Sequence, residues 1–213
     1  MQVSRQDARV NHNQRNRTRA AIIEAATALL REGSPPTVAE AAERALVSRA
    51  TAYRYFPTQE SLLVEIAQVE PLMKPVDDLV ARFPADHDAG QRLAALIGTV
   101  IATMLSDEVV IRTGIRVYMD TWLVNHHDGK DVPVRTGRRM RYIDEALRPL
   151  GDRLGEPGRK RLRSALALTT GSEAITSLKD AAGLEDDEEI IATLEWATNA
   201  LLRAALHDFE ESQ

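Results

Sequence analysis

Apolar positions recur at intervals of three and four residues along nearly the whole chain, and this spacing predicts helices throughout. No run of alternating β-branched residues marks a strand. The pattern predicts a first helix over Arg17–Glu32, with Ala21, Ile22, Ala25, Ala26, Leu29 and Leu30 on one face and Gly33 as its stop. Ser34-Pro35-Pro36 reads as a connector. Thr37 and Glu40 have capping-box spacing for a short second helix, Val38–Ala45. Leu46-Val47 makes a turn, and Ser48 caps a third short helix through Tyr55. Pro57 prevents its continuation, and Thr58 caps a fourth helix to about Val69.

Pro71 and Pro75 then suggest a hinge or linker. Longer helices are expected over Ala89–Ser106, with Leu93, Leu96, Ile97, Val100, Ile101 and Met104 inward, and over Glu108–His126, with Ile111, Ile115, Tyr118 and Trp122 on one stripe. A polar loop, His127–Val132, precedes a helix over Val134–Leu150. The last two helices are expected at Gly158–Ala182 and Asp186–Phe209. The fold class is therefore all-α. Its expected domains are a flexible polar arm (1–14), a small helical head (15–70) and a larger helical body (71–213).

Composition narrows the chemistry. The 213 residues include no cysteine, which rules out disulfides, thiol catalysis and cysteine-ligated zinc or iron–sulfur centres. The polar start lacks the apolar core of a secretory signal, and Leu93–Leu105 is too short to span a bilayer, so a cytoplasmic protein without membrane contact is expected. A net charge of −5 argues against a general nucleic-acid binder, but it averages over a polarised chain. Residues 1–60 hold nine Arg against six Asp or Glu, a balance of +3; the other 153 hold 18 Lys or Arg against 26 Asp or Glu, a balance of −8. Of nine aromatic residues, Tyr53, Tyr55 and Phe56 fall within four positions.

Two short helices joined by a tight turn cannot stabilise themselves, and the helix at 17–32 offers the apolar face they need. This is the outline of a helix-turn-helix unit, whose second helix enters the DNA major groove. Ala52 and Phe56 should face the core, leaving Arg49, Ala50, Thr51 and Tyr53 outward. Arginine can donate to guanine O6 and N7, and Ala or a Thr methyl can touch a thymine methyl. The hydroxyls of Thr37, Tyr53, Tyr55 and Thr58 suit phosphate oxygens. The plain alternatives are core packing for the Tyr/Phe cluster and a solvated surface for Arg49.

The stretch Thr37–Leu63, with its Val47-Ser48 turn, Tyr53-Arg54-Tyr55-Phe56 and the Thr58 cap before Leu62-Leu63, resembles the N-terminal domain of TetR-type transcriptional regulators. Arg19–Gly33 looks like their first helix. The resemblance covers about a quarter of the chain. It implies a three-helix DNA-binding domain followed by a helical domain for effector binding and dimerisation. It also implies DNA contacts from Arg17, Thr37, Ser48, Arg49, Ala50, Thr51, Tyr53, Arg54, Tyr55 and Thr58, while Arg15 and Arg19 could extend them or simply form a solvated basic segment. Two positions depart from the family pattern. Leu46 stands where Gly is usual, so the turn should differ slightly, and Gln59 stands where Lys is frequent, so a phosphate contact should be missing.

Within the body, the resemblance implies a pocket for a small-molecule effector of unknown identity. Met104, Ile115, Tyr118, Met119, Trp122 and Tyr142 are candidate apolar lining, and Arg112, Arg116, Asn125 and His126 could fix a polar group. Small residues on the helix at 158–182 (Ala167, Thr170, Gly171, Ala174) and apolar ones on the last helix (Ile190, Leu194, Ala197, Leu201) suit a four-helix dimer interface, with an intramolecular core as the alternative. His126 and His127 point apart on a helix, so a shared metal is not expected. No cofactor and no catalytic motif is read, so an enzyme is not expected. The function expected is a homodimeric, ligand-responsive regulator, a repressor released from operator DNA by a small molecule. The alternative is a helical ligand-binding or interaction protein whose specific DNA recognition has degraded at Leu46 and Gln59.

Overall fold

The computed structural model describes residues 5–67, 72–129 and 137–211. Among these the chain is helical, with no strand. The helices are α1 (Arg5–Arg31), α2 (Val38–Arg44), α3 (Arg49–Tyr55), α4 (Gln59–Ile66), α5 (Lys74–Ala81), α6 (Ala89–Leu105), α7 (Glu108–His127), α8 (Arg138–Ala146), α9 (Gly155–Leu166), α10 (Ser172–Thr176) and α11 (Asp187–Glu210). Expectations for Met1–Ser4, the end of the fourth helix at Val69, Pro71, the loop residues Lys130–Val132 and a helix start at Val134 lie outside the described residues. None of the described helices is singly long and apolar enough to cross a membrane.

The chain divides into two compact units: Met1–Val69 with Val109–Thr121, and Glu70–Glu108 with Trp122–Gln213. The first, the head, is built on α1. Ile22, Ala26 and Leu30 form its buried stripe, against which Val38, Ala41 and Ala42 of α2, Ala52 of α3, Phe56, and Leu62, Leu63 and Ile66 of α4 pack. Ala41, Ala42 and Ala52 have no accessible surface, so α2 and α3 approach more closely than larger side chains would permit.

The turn after α2 is a Schellman motif: the Val47 N–H donates to the Ala42 carbonyl (2.9 Å) and the Leu46 N–H to that of Glu43 (3.1 Å). Its left-handed position is Leu46, at φ 54°. The expectation that the turn would differ without glycine is thus corrected. The left-handed residue is kept, and leucine bears the steric cost while its side chain stays 95% exposed.

In the second unit, the body, α6 is central. Leu93, Leu96, Ile97 and Ile101 are fully buried, and α5, α8 and α11 pack around this helix. From α11, Ile190, Leu194, Thr198 and Leu202, spaced four apart, turn inward. Asp88 and Gln91 form a capping box at the start of α6. Arg92 is buried, with its guanidinium 5.4 Å from the Phe83 ring centre; it donates to the carbonyls of Pro84 (2.9 Å) and Glu145 (3.5 Å).

Several expectations are corrected. The segment expected as a flexible arm is helical from Arg5, because no Gly or Pro interrupts the approach to α1. Pro75 does not mark a linker: it sits in the first turn of α5, where its missing N–H costs nothing. Pro149 lies in a 3₁₀ turn, Arg148–Leu150, after α8 ends at Ala146. The single helix expected at 158–182 is broken between α9 and α10. There the Thr169 and Thr170 hydroxyls turn back to the Leu166 carbonyl, and the extended Gly171 starts α10.

Replacing Leu46 by Gly should relieve the left-handed strain without loss of packing. Net of the added freedom of the unfolded chain, the gain should be about 0.5–1 kcal/mol, read as a rise of roughly 2 °C in the thermal midpoint. An unchanged or lower midpoint would contradict the strained turn.

Candidate nucleic-acid interface

Ser48 starts α3 by accepting the Thr51 N–H (3.3 Å), and its own hydroxyl donates to Thr51 Oγ1 (2.9 Å). Because Ala52 and the C-cap Phe56 are buried, the helix can turn only one way. Arg49, Ala50, Tyr53 and Arg54 occupy its outer face, and all four are exposed. Arg17 on α1 is exposed as well.

Other expected DNA-facing groups have jobs inside the head. The Thr37 N–H and hydroxyl both donate to Glu40 Oε2 at 2.7 Å, and the Glu40 N–H returns to Thr37 Oγ1 at 3.2 Å. The Thr37 backbone N–H, and next its hydroxyl, hold the Glu40 carboxyl below the usual carboxylate range. Thr58 remains exposed, but its hydroxyl accepts the Ser61 N–H (3.1 Å) as the cap of α4. Thr51 is half-buried beside Ser48. Tyr55, with a hydroxyl expected to suit a phosphate oxygen, does not lie on the fully exposed face of α3. It is half-buried against the head core, 6.4 Å from the Phe56 ring, with the Arg54 guanidinium 5.7 Å from its centre. Arg19 is drawn inward too: it lies 5.9 Å from the Phe56 centroid and pairs with Glu65.

Gln59 has a role that sequence reasoning missed. Its Nε2 donates to the carbonyls of Pro35 (3.1 Å) and Pro36 (3.2 Å). Two consecutive prolines with carbonyls but no N–H groups were the only available signal.

These features agree with the family comparison. Residues 22–66 match the family model for bacterial regulatory proteins, tetR family. The chain has the head of a tetR-family regulator. A crystal structure of a TetR transcriptional regulator from Rhodococcus sp. RHA1 superposes with a TM-score of 0.60 at 19% identity, covering 88% of this chain and 96% of that one. That likeness extends the shared fold beyond the head. No curated protein matches the chain. The match of residues 22–66 to that family model supports DNA binding in transcription regulation.

The expected effector residues are divided between the two units. Arg112, Ile115, Arg116, Tyr118 and Met119 belong to the head, whereas Met104, Trp122, Asn125, His126 and Tyr142 belong to the body. Met104, Arg112, Ile115, Tyr118 and Asn125 are half-buried. Arg116 is exposed and 3.6 Å from Asp120. Met119 and Trp122 are 65% and 55% exposed, and the exposed His126 stacks on Trp122 at 4.9 Å. Tyr142 is buried, and its hydroxyl donates to Asp77 Oδ1 at 2.9 Å. Burial, reinforced by that hydrogen bond and the carboxylate charge, raises its pKa to about 12.

The expected dimer residues need a larger correction. Thr170, Gly171, Ala174, Ile190 and Leu194 are buried within one chain, so they belong to the body's own core. Gly171 is packed so closely that a Cβ there would lie 2.5 Å from the Arg139 guanidinium carbon. Ala167, Ala197 and Leu201 are half-buried. Two large apolar side chains that sequence reasoning passed over, Leu168 and Trp196, are 76% and 69% exposed.

The caps predict a stability effect separate from any DNA effect. Thr37→Ala and Ser48→Ala should each destabilise the free protein by about 1 kcal/mol in chemical denaturation. Wild-type stability in both variants would remove their assignment as caps.

Proposed function

We propose that the chain is a ligand-responsive repressor that binds operator DNA as a homodimer in the cytoplasm. The observation that carries this reading is the outer face of α3, where Arg49, Ala50, Tyr53 and Arg54 are exposed opposite the buried Ala52. Arg49 donates to a base edge in the major groove, Ala50 packs against a thymine methyl, and Tyr53 with Arg54 contacts phosphates. Arg17 supplies a further backbone contact. Thr37, Ser48, Thr51 and Thr58 act chiefly by setting the helix starts, and the Tyr55 ring supports Arg54.

Two copies would present two such helices to half-sites about one helical turn apart, near 34–36 Å. The exposed Trp196 and Leu168 support an interface on the body, since large apolar side chains at that exposure gain most from a partner. A small molecule bound by the body releases DNA if it favours a subunit arrangement with the wrong half-site spacing.

The reading is tested by selecting binding sites from random DNA and titrating variants at fixed salt. Arg49→Ala should cost about 1–3 kcal/mol of affinity and relax one base position, whereas Tyr53→Ala should weaken binding to all sequences alike. Unchanged affinity in both variants would remove α3 from the interface. For the dimer, Trp196→Glu should shift sedimentation at micromolar concentration from dimer to monomer. A dimer equally stable in that variant would place the interface elsewhere.

A further inference from the structure

We propose that Gln59 is a positioning residue for DNA binding, acting as a clamp between the start of α4 and the connector that leads into α2. The inference rests on the DNA-binding reading of the head. A glutamine amide has two N–H donors. Here the Nε2 group has two carbonyl acceptors, Pro35 at 3.1 Å and Pro36 at 3.2 Å. The amide nitrogen is thus held at the connector, and the acceptor oxygen gains nothing from a phosphate oxygen.

The clamp matters because of what the connector cannot do for itself. Pro35 and Pro36 have no N–H with which to bond each other or the helices around them. Pro36 is buried and Thr37 follows at once as the cap of α2. Gln59, the first residue of α4, thus holds the entry to α2 across 23 residues of sequence. Apolar packing also ties these parts, and through α1 so do the ion pairs Arg19–Glu65 and Arg44–Glu32. Packing is non-directional, whereas two hydrogen bonds fix an angle. Among these ties, the amide is the one that joins the start of α4 directly to the connector entering α2, so it contributes to the orientation of α2, and of α3 packed on it, relative to α4.

The test compares the full-length wild type with Gln59→Ala and the near-isosteric Gln59→Glu, which cannot donate to the carbonyls. Hydrogen exchange of the amides in 37–41 is measured without DNA. Affinity is measured on a DNA site selected by the wild type, at a temperature where all three proteins are folded, and again on copies carrying single methylphosphonate substitutions. Faster exchange at 37–41 is expected in both variants. For Gln59→Ala, an affinity loss of about three- to tenfold is expected, the size of one or two lost hydrogen bonds, and it should add to every phosphate substitution without coupling to any one. Coupling to a single phosphate with unchanged exchange would make Gln59 a direct contact and overturn the proposal. Faster exchange with wild-type affinity would overturn it too, because the clamp would then not serve binding. If the wild type selects no DNA, the DNA-binding reading fails and the proposal fails with it; an exchange difference would still register the clamp, so the two failures are told apart.

Discussion

The head depends on the close contact of α2 and α3 across Ala41, Ala42 and Ala52, sealed by Phe56. Each of these helices has seven residues, too few to persist alone. Alanine at the contact brings the two axes together, and Phe56, 2% exposed, fills the space at the end of α3. Once Ala52 and Phe56 are inside, Arg49, Ala50, Tyr53 and Arg54 are necessarily outside. The recognition face is thus a consequence of core packing. Arg19 strengthens the same point, covering Phe56 and pairing with Glu65.

Around this core, short polar side chains set where each helix begins. Thr37, Ser48 and Thr58 each accept a backbone N–H three residues on. Free amides at helix starts need such partners, and without them helices this short would fray. Gln59 extends the principle from one helix to two. The polar groups of the head therefore fall into those that build the scaffold and those that face outward, and sequence alone does not separate them.

The body uses polar chemistry differently. Arg92 is taken out of water and bonds to the carbonyl of Pro84 in the connection before α6 and to that of Glu145 in α8, beside Phe83. Tyr142 meets Asp77, tying α8 to α5. The Thr198 hydroxyl donates to Thr169 at 2.9 Å, joining α11 to the break after α9. These contacts join segments distant in sequence, and the last of them helps to hold Thr169 and the buried residues beside it, Thr170, Gly171 and Ala174, within the body's own core.

Helical periodicity, cap residues and the alanine spacing were enough to determine the all-α class, the start of each short head helix and the outward side of α3. All are local properties, readable within one or two turns of chain. Tertiary structure alone decided the rest: that Pro75 opens a helix, that Tyr55 and Tyr142 turn inward, that Gln59 meets Pro35 and Pro36, and that Ile190 and Leu194 are covered while Trp196 is not. The physical reason is that an amphipathic pattern identifies a buried face without naming what buries it. An apolar stripe on α11 is equally suited to α6 of its own chain and to a second copy, and only the packed fold distinguishes them.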